Sequence, residues 1–355
     1  MRQTWSHSEM SAQVAGPWVV VVGMHRSGTS AVTGAIGALG FNHVNEEDRL
    51  SPHESNPEHW ESLSMLLHND AILAHFGGTW DAPPRLPKGW ESDHGLPDQS
   101  AASEVLATAY PKPGPSVWKD PRVCLLLPYW RRMLTAPMAA VLVWRDPVAV
   151  ARSLRRRNGF PLPLGIALWE RYTRSAVANL AGNDVFVLDY DTMVEDPAVS
   201  LSGLISWLAS IGTFDGMPSW DRNAALSAVT ANLRHEAGHN PDDDVRVLLD
   251  EQCRLIEELS DLAGGHHGLP GLTGDESPWT EGILDARNSS NVLELRQLQR
   301  RMEHFEAERD WFASALEDTR SRLTGIETSS SWRLTAPVRT VAARLKASRT
   351  HRPTK

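Results

Sequence analysis

At 355 residues the chain has the length of about two ordinary domains, or of one large α/β domain with an appendage. Hydrophobic residues make up 41% and charged residues 22%, which supplies a buried core and excludes global disorder. The formal charge of −9 argues against a non-specific nucleic-acid binder, and two cysteines are too few for a disulfide framework or a zinc site.

Residues 1–16 are polar and lack the charged-then-apolar layout of a signal peptide, so they read as a disordered leader on a cytoplasmic protein. No apolar run approaches the roughly 18 residues of a membrane span. Trp18-Val19-Val20-Val21-Val22 is a continuous apolar, β-branched run, as expected of a buried parallel strand. It ends at Gly23-Met24-His25-Arg26-Ser27-Gly28-Thr29-Ser30, and a helix follows with Val32, Ile36 and Leu39 on one face and Gly40 as its stop. Strand, glycine loop and helix make a phosphate-cradling unit, because the amides at a helix N-terminus present donors to an anionic oxygen.

Residues 82–116 carry seven prolines and read as a long irregular excursion. Between Lys119 and Arg157 nine basic residues face two acidic ones, a local island of +7. Cys124 within it and Cys253 further on sit in apolar helix-like patterns and read as buried free thiols. Two more buried strands are legible at Ala139–Trp144 and Val185–Leu188, each followed by a helical segment, as in alternating β/α folds. After the first comes Arg145-Asp146-Pro147, with Asp146 a good N-cap, Pro147 suited to the first helical position and the helix running to Arg157. Trp169 and Tyr172, at helical spacing, read as core.

From Gly264 to Ser290 the chain is rich in Gly, Pro, Ser and Asp without periodicity and reads as a linker; His266-His267 has no partner ligands at useful spacing. Beyond it Leu295, Leu298, Met302, Phe305, Phe312, Leu316, Leu323 and Ile326 recur in steps of three and four, broken at Arg309 and Thr319. That is the pattern of a coiled coil, with a single amphipathic helix packed on its own domain as the other reading. From Thr328 to Lys355 seven basic residues meet no acidic one; with Trp332 this is a basic amphipathic tail able to lie on an anionic membrane surface, with a solvated basic tail as the other reading. The expected domains are therefore a leader at 1–16, an α/β domain at 17–263, a linker at 264–290, a coiled coil at 291–327 and a basic tail at 328–355. The expected fold is a P-loop-like parallel sheet flanked by helices.

Gly23-x4-Gly28-Thr29-Ser30 matches the nucleoside-triphosphate P-loop in each fixed position except the lysine, which is Thr29 here. Arg26 supplies a cation inside the loop instead, and no obvious strand ends in a magnesium-binding Asp. The loop therefore points to a phosphate binder that does not transfer a γ-phosphate. Ser153 follows Arg145 by eight residues, a strand-end guanidinium and a helical hydroxyl suited to gripping one phosphate. In these two motifs the sequence resembles the sulfotransferases that use 3′-phosphoadenosine 5′-phosphosulfate (PAPS), over roughly residues 17–235.

The resemblance implies that Arg26, Ser27, Gly28, Thr29 and Ser30 hold the 5′-phosphosulfate, and that Arg145 and Ser153 hold the 3′-phosphate. Arg26 stands where many relatives have Lys, as in the branch that includes tyrosylprotein and many bacterial sulfotransferases. Trp118-Lys119-Asp120-Pro121-Arg122 is similar to a Lys-Asp-Pro strand end of that branch, which implies that Lys119 contacts the transferred sulfuryl group. Asn56-Pro57-Glu58-His59-Trp60-Glu61 resembles an Asn-Pro-x-Gly-aromatic-Trp-Glu segment of bacterial relatives, departing from it at Glu58-His59. The resemblance makes Glu61 the leading general base, with Glu47 the runner-up because its spacing from Arg26 is similar to that of the base in the tyrosylprotein branch, and His59 third. Arg234 is a further candidate cation for the nucleotide.

The reaction this implies is metal-independent sulfuryl transfer from PAPS, with adenosine 3′,5′-bisphosphate (PAP) as product. The acceptor is a hydroxyl or amine, expected on a glycan or glycolipid because the tail resembles the ends of some bacterial cell-surface glycan glycosyltransferases. A homodimer through the coiled coil and peripheral contact with the inner membrane face are the expected associations. Two rivals stand beside it: a P-loop small-molecule kinase, against which the missing loop lysine speaks, and a non-catalytic coiled-coil scaffold in surface-glycan assembly.

Overall fold

The computed structural model describes residues 16–51, 60–214, 221–233 and 248–290, with five isolated positions beyond. The chain divides into two units, Met1–Ser289 and Ser290–Lys355, and the sheet belongs to the first. The coiled-coil and tail segments, His59 and Arg234 lie outside the described residues, the five isolated positions aside.

Four strands form the parallel part of the sheet: β1 (Trp18–Val22), β2 (Ser116–Lys119), β3 (Met138–Trp144) and β4 (Asp184–Asp189). The order is β2-β1-β3-β4, and a fifth strand, β5 (Gly264–His267), closes the β4 edge antiparallel. This is the expected α/β class. The continuous apolar run of β1 is required because both its faces are covered. Trp18, Val20 and Val22 enter one core, and Val19 and Val21 enter the other.

Helix α1 (Thr29–Ala38) follows the glycine loop, and α2 (Leu63–His75) follows Glu61. The proline-rich excursion is less irregular than its composition implies. Asp98 caps α3 (Gln99–Ala109) by accepting from the Ala101 amide at 3.0 Å, and Ala102, Leu106 and Ala109 of this helix are buried. Helix α4 (Val123–Met133) leaves β2, and α5 (Pro147–Asn158) leaves β3. The start of α5 is the expected one, with Asp146 Oδ1 accepting from the Ala149 amide at 2.7 Å and Pro147 at the first turn. Helix α6 (Leu162–Leu180) buries Trp169 and Tyr172 completely, as read from their spacing. The remaining helices are α7 (Tyr190–Glu195), α8 (Pro197–Ser210), α9 (Arg222–Leu233), α10 (Asp250–Asp261) and α11 over 278–290.

The segment 264–290 corrects the linker reading, because it is folded onto the domain. β5 pairs with β4, and the fully buried Glu170 of α6 accepts from the Ser277 amide (2.9 Å), the Ser277 hydroxyl (2.9 Å) and the Thr280 hydroxyl (2.7 Å). Gln252 (3.1 Å) and Arg174 (3.0 Å) complete the cage. A strand of glycines and histidines and a polar clasp carry no apolar periodicity, so composition alone reads them as loop. His266 bonds the Leu262 carbonyl and His267 the Asp184 carboxylate. Cys124 is buried as expected, whereas Cys253 is only half-buried.

Candidate functional site

Crossing from β2 back past β1 to β3 puts a topological switch between β1 and β3, the place where α/β sheets open a crevice at their strand C-termini. The glycine loop leaves β1 on one side of that switch, and Arg145 leaves β3 on the other. Lys119 is the last residue of β2, in register with Val21 of β1. Three stretches far apart in sequence thus end on one edge of the sheet.

The loop is built for close approach. Gly23 has φ of 156°, and a Cβ there would lie 2.2 Å from the Val143 carbonyl oxygen. Gly28, at φ of 87°, would carry a Cβ 1.9 Å from the Tyr190 ring. Arg26 is the non-glycine residue with positive φ among the described residues, at 72°, a strained conformation of the kind that marks ligand loops. The first turn of α1 has no side-chain cap and no acidic residue. Its amides and positive dipole end therefore stay available to an anion. The Ser27 hydroxyl is buried and finds no hydrogen-bond partner among the described residues. Together these features fit an anionic phosphate-bearing ligand.

The two motifs meet through a direct contact: Arg26 Nε donates to Ser153 Oγ at 2.8 Å. Arg145 lies 3.4 Å from Asp191 Oδ1, with its guanidinium over the Tyr190 ring at 4.9 Å. Tyr190 therefore packs between the loop glycine and the strand-end arginine. Neither Tyr190 nor Asp191 is singled out by the sequence reading; their signal is position, directly after the legible strand β4.

Lys119 and Glu61 come together. The ammonium donates to Glu61 Oε1, and it also reaches the Ser30 hydroxyl at 3.2 Å. Both partners are nearly sealed from water, at 4% and 8% side-chain exposure. Glu61 is held by its neighbours: its carbonyl accepts from the Leu50 amide (2.9 Å), and the next residue, Ser62, caps α2 and bonds Asp48. Asp48 also accepts from the Ser64 amide and hydroxyl, at 3.1 and 2.7 Å. Behind Lys119, Asp120 accepts from Asn69 (2.9 Å) and the Arg122 amide (2.9 Å), while Arg122 also pairs with Asp70.

Glu47 is placed differently. It is exposed and lines a cavity of about 540 Å³ with His43, Arg49, Trp60 and Lys112. Burial, aided by Arg49, lowers His43 to about 4, so its ring stays neutral there. In the loop itself, burial and the Arg122 charge hold His25 well below the ordinary histidine value. Its Nε2 is buried without a hydrogen-bond partner among the described residues. Among the described residues no group of three or more His, Cys, Asp or Glu side chains is arranged to hold a metal ion. No described helix is long and apolar enough to cross a membrane.

No family model matches the chain, and neither does any curated protein. Among solved structures the chain is similar to a sulfotransferase domain from a Synechococcus olefin synthase, at 13% identity and a TM-score of 0.37, over 77% of this chain and 94% of that one. It is also similar to sulfotransferase STF1 of Mycobacterium tuberculosis, at 14% identity and a TM-score of 0.44, over 72% of this chain and 80% of that one. Sulfotransferase STF9 of Mycobacterium avium gives 15% identity and a TM-score of 0.43, over 72% of this chain and 79% of that one. With TM-scores this low, the reading of the site stands on its own residues.

Proposed function

We propose that the chain is a PAPS-dependent sulfotransferase. The observation that carries this reading is the 2.8 Å bond from Arg26 to Ser153, which joins the glycine loop to the helix that follows Arg145. A γ-phosphate chemistry has no comparable support, since the loop lysine is absent.

On this reading the loop amides, Arg26 and the Ser27, Thr29 and Ser30 hydroxyls hold the 5′-phosphosulfate. Arg145 and Ser153 take the 3′-phosphate, with Arg145 exchanging the Asp191 carboxylate for the phosphate. The donor supplies a sulfuryl group bound to a phosphate oxygen. The acceptor oxygen bonds to sulfur, the bond from sulfur to the phosphate oxygen breaks, and Glu61 takes the acceptor's proton. Lys119 meets the charge on the departing oxygen. The Lys119–Glu61 pair gives this a built-in order. When the ammonium turns to the donor's oxygens, the Glu61 carboxylate is released from this contact to meet the acceptor's proton. Charge is met by arginine, lysine and amides, so the reading requires no metal.

A hydroxyl on a glycan or glycolipid is the proposed acceptor, in the cytoplasm, with a homodimer formed through 291–327 and the tail resting on the inner membrane face. These finer proposals rest on the sequence beyond the α/β unit. Arg145→Ala is the test of the donor site: calorimetry should show PAP binding by the parent chain and none by the variant. Unchanged affinity removes the 3′-phosphate assignment. Thermal stabilisation of the parent by ATP and Mg²⁺ but not by PAP returns the chain to the kinase reading.

A further inference from the structure

The folded segment 264–290 reaches the donor loop through a chain of side chains. Arg287 on α11 donates to Asp81 Oδ2 at 2.6 Å, with its guanidinium over the Phe160 ring at 5.5 Å. Earlier on the same helix, Asp285 and Glu281 pair with Arg85, so α11 grips the 81–85 stretch at two points. Asp81 closes a tight turn in which it accepts from Thr79 Oγ1 (2.7 Å) while Thr79 and Ala82 pair across it. At the tip of that turn sits Trp80. Its carbonyl accepts from the Tyr172 hydroxyl at 2.7 Å, and its ring lies 5.7 Å from Phe160 and 4.5 Å from His25 of the glycine loop.

His25 directly precedes Arg26, whose positive φ costs backbone strain. Such a conformation persists only where the surroundings over-determine it. Trp80 on one side and Tyr172 on another, with ring centroids 4.5 and 6.3 Å from that of His25, supply this constraint. Holding Trp80 there requires the turn to stay down, and the turn is pinned by Asp81.

We propose that Arg287 is a positioning residue for the donor loop: through Asp81 it seats Trp80 on His25 and so keeps Arg26 in its binding conformation. This rests on the reading of the loop as a nucleotide site. It assigns to a segment more than 200 residues downstream a part in donor affinity without contact with the donor.

The test uses the full chain and PAP as the probe. Calorimetric affinity and melting temperature are measured for the parent, Arg287→Gln, Asp81→Asn, their combination and Arg287→Lys. The expected result is PAP binding weakened about tenfold in each neutralised single variant, equivalent to about 1.4 kcal/mol. The combination should be no weaker than either alone, because both remove one contact. Arg287→Lys, which keeps the charge, should recover most of the affinity. In turnover assays the donor KM should rise while kcat stays within about twofold, as for loss of a binding contribution. If Arg287→Gln and Asp81→Asn only lower the melting temperature and bind PAP as the parent does, the pair is merely structural and the proposal is overturned. A parent chain that fails to bind PAP at all overturns the nucleotide reading itself, and this inference with it.

Discussion

Glu61→Gln tests the buried charge pair and the proposed base together. The exchange keeps the side-chain volume and removes the carboxylate charge beside an ammonium that is 4% exposed. Removing one partner of a buried ion pair costs about 3–5 kcal/mol, because the other charge stays buried and uncompensated. Here the Gln oxygen still accepts from Lys119 and the Ser30 hydroxyl lies 3.2 Å away, which sets the expectation at the lower end of that range, about 3 kcal/mol. For a domain of this size each kcal/mol moves the midpoint by about 2–4 °C, so melting should fall by roughly 6–12 °C. Adding Lys119→Met removes the stranded charge and should recover much of the loss, since apolar replacement of a whole buried pair is often neutral. In solution, PAP affinity of Glu61→Gln should hold or rise, because the ammonium no longer leaves a carboxylate to meet an anion. Turnover should drop by a factor on the order of 10² or more. Differential scanning calorimetry, titration calorimetry and transfer of labelled sulfuryl to a glycan extract read the three quantities. A Glu61→Gln variant that melts within about 1 kcal/mol of the parent, with the double variant no more stable, refutes the buried-pair reasoning. Near-normal turnover passes the base role to Glu47.

Two further substitutions examine how the site is held. Gly28→Ala places a Cβ 1.9 Å from the Tyr190 ring at a φ of 87°. The strain and overpacking should cost about 1–3 kcal/mol in stability. Since Tyr190 also carries Arg145, PAP affinity should fall at least tenfold, and unchanged affinity by calorimetry refutes the coupling. Glu170→Gln examines the polar clasp of 264–290. Burial alone would raise the Glu170 carboxyl, but the bonds from Thr280, Ser277, Gln252 and Arg174 outweigh it and set it below the ordinary 4.5. A depressed value means the ionised form stabilises the fold, fully above pH about 4.5 and progressively less as pH falls through the folded-state value. The parent should therefore melt well above Glu170→Gln at pH 7, with the gap narrowing in acid below about pH 4.5; a gap that is constant with pH refutes the clasp's charge dependence.

Several features were legible because their causes are local. The strand Trp18–Val22 shows as a continuous apolar, β-branched run in its own residues, and Asp146-Pro147 announces a helix through its own cap geometry. The glycines at 23 and 28 carry their meaning in backbone freedom. Helix α3 and the segment 264–290 were not legible. The helix is amphipathic but sits among prolines, and the segment is held by a buried carboxylate from another element, which leaves no trace in its own periodicity.

Within the site the same division holds. Spacing singled out Arg26 and Ser153, a cation inside the glycine loop and a hydroxyl eight residues after a strand-end arginine, whereas Lys119 and Glu61 were singled out by the resemblance of their segments to those of sulfotransferases. What only the tertiary structure decided is who faces whom. The crossover from β2 to β3 brings Ser153 onto Arg26, and the Asp48 clasp turns Glu61 onto Lys119 while leaving Glu47 exposed. The reason is physical: a side chain's charge belongs to the sequence, but its desolvation and its partner come from elements that meet only when the sheet closes.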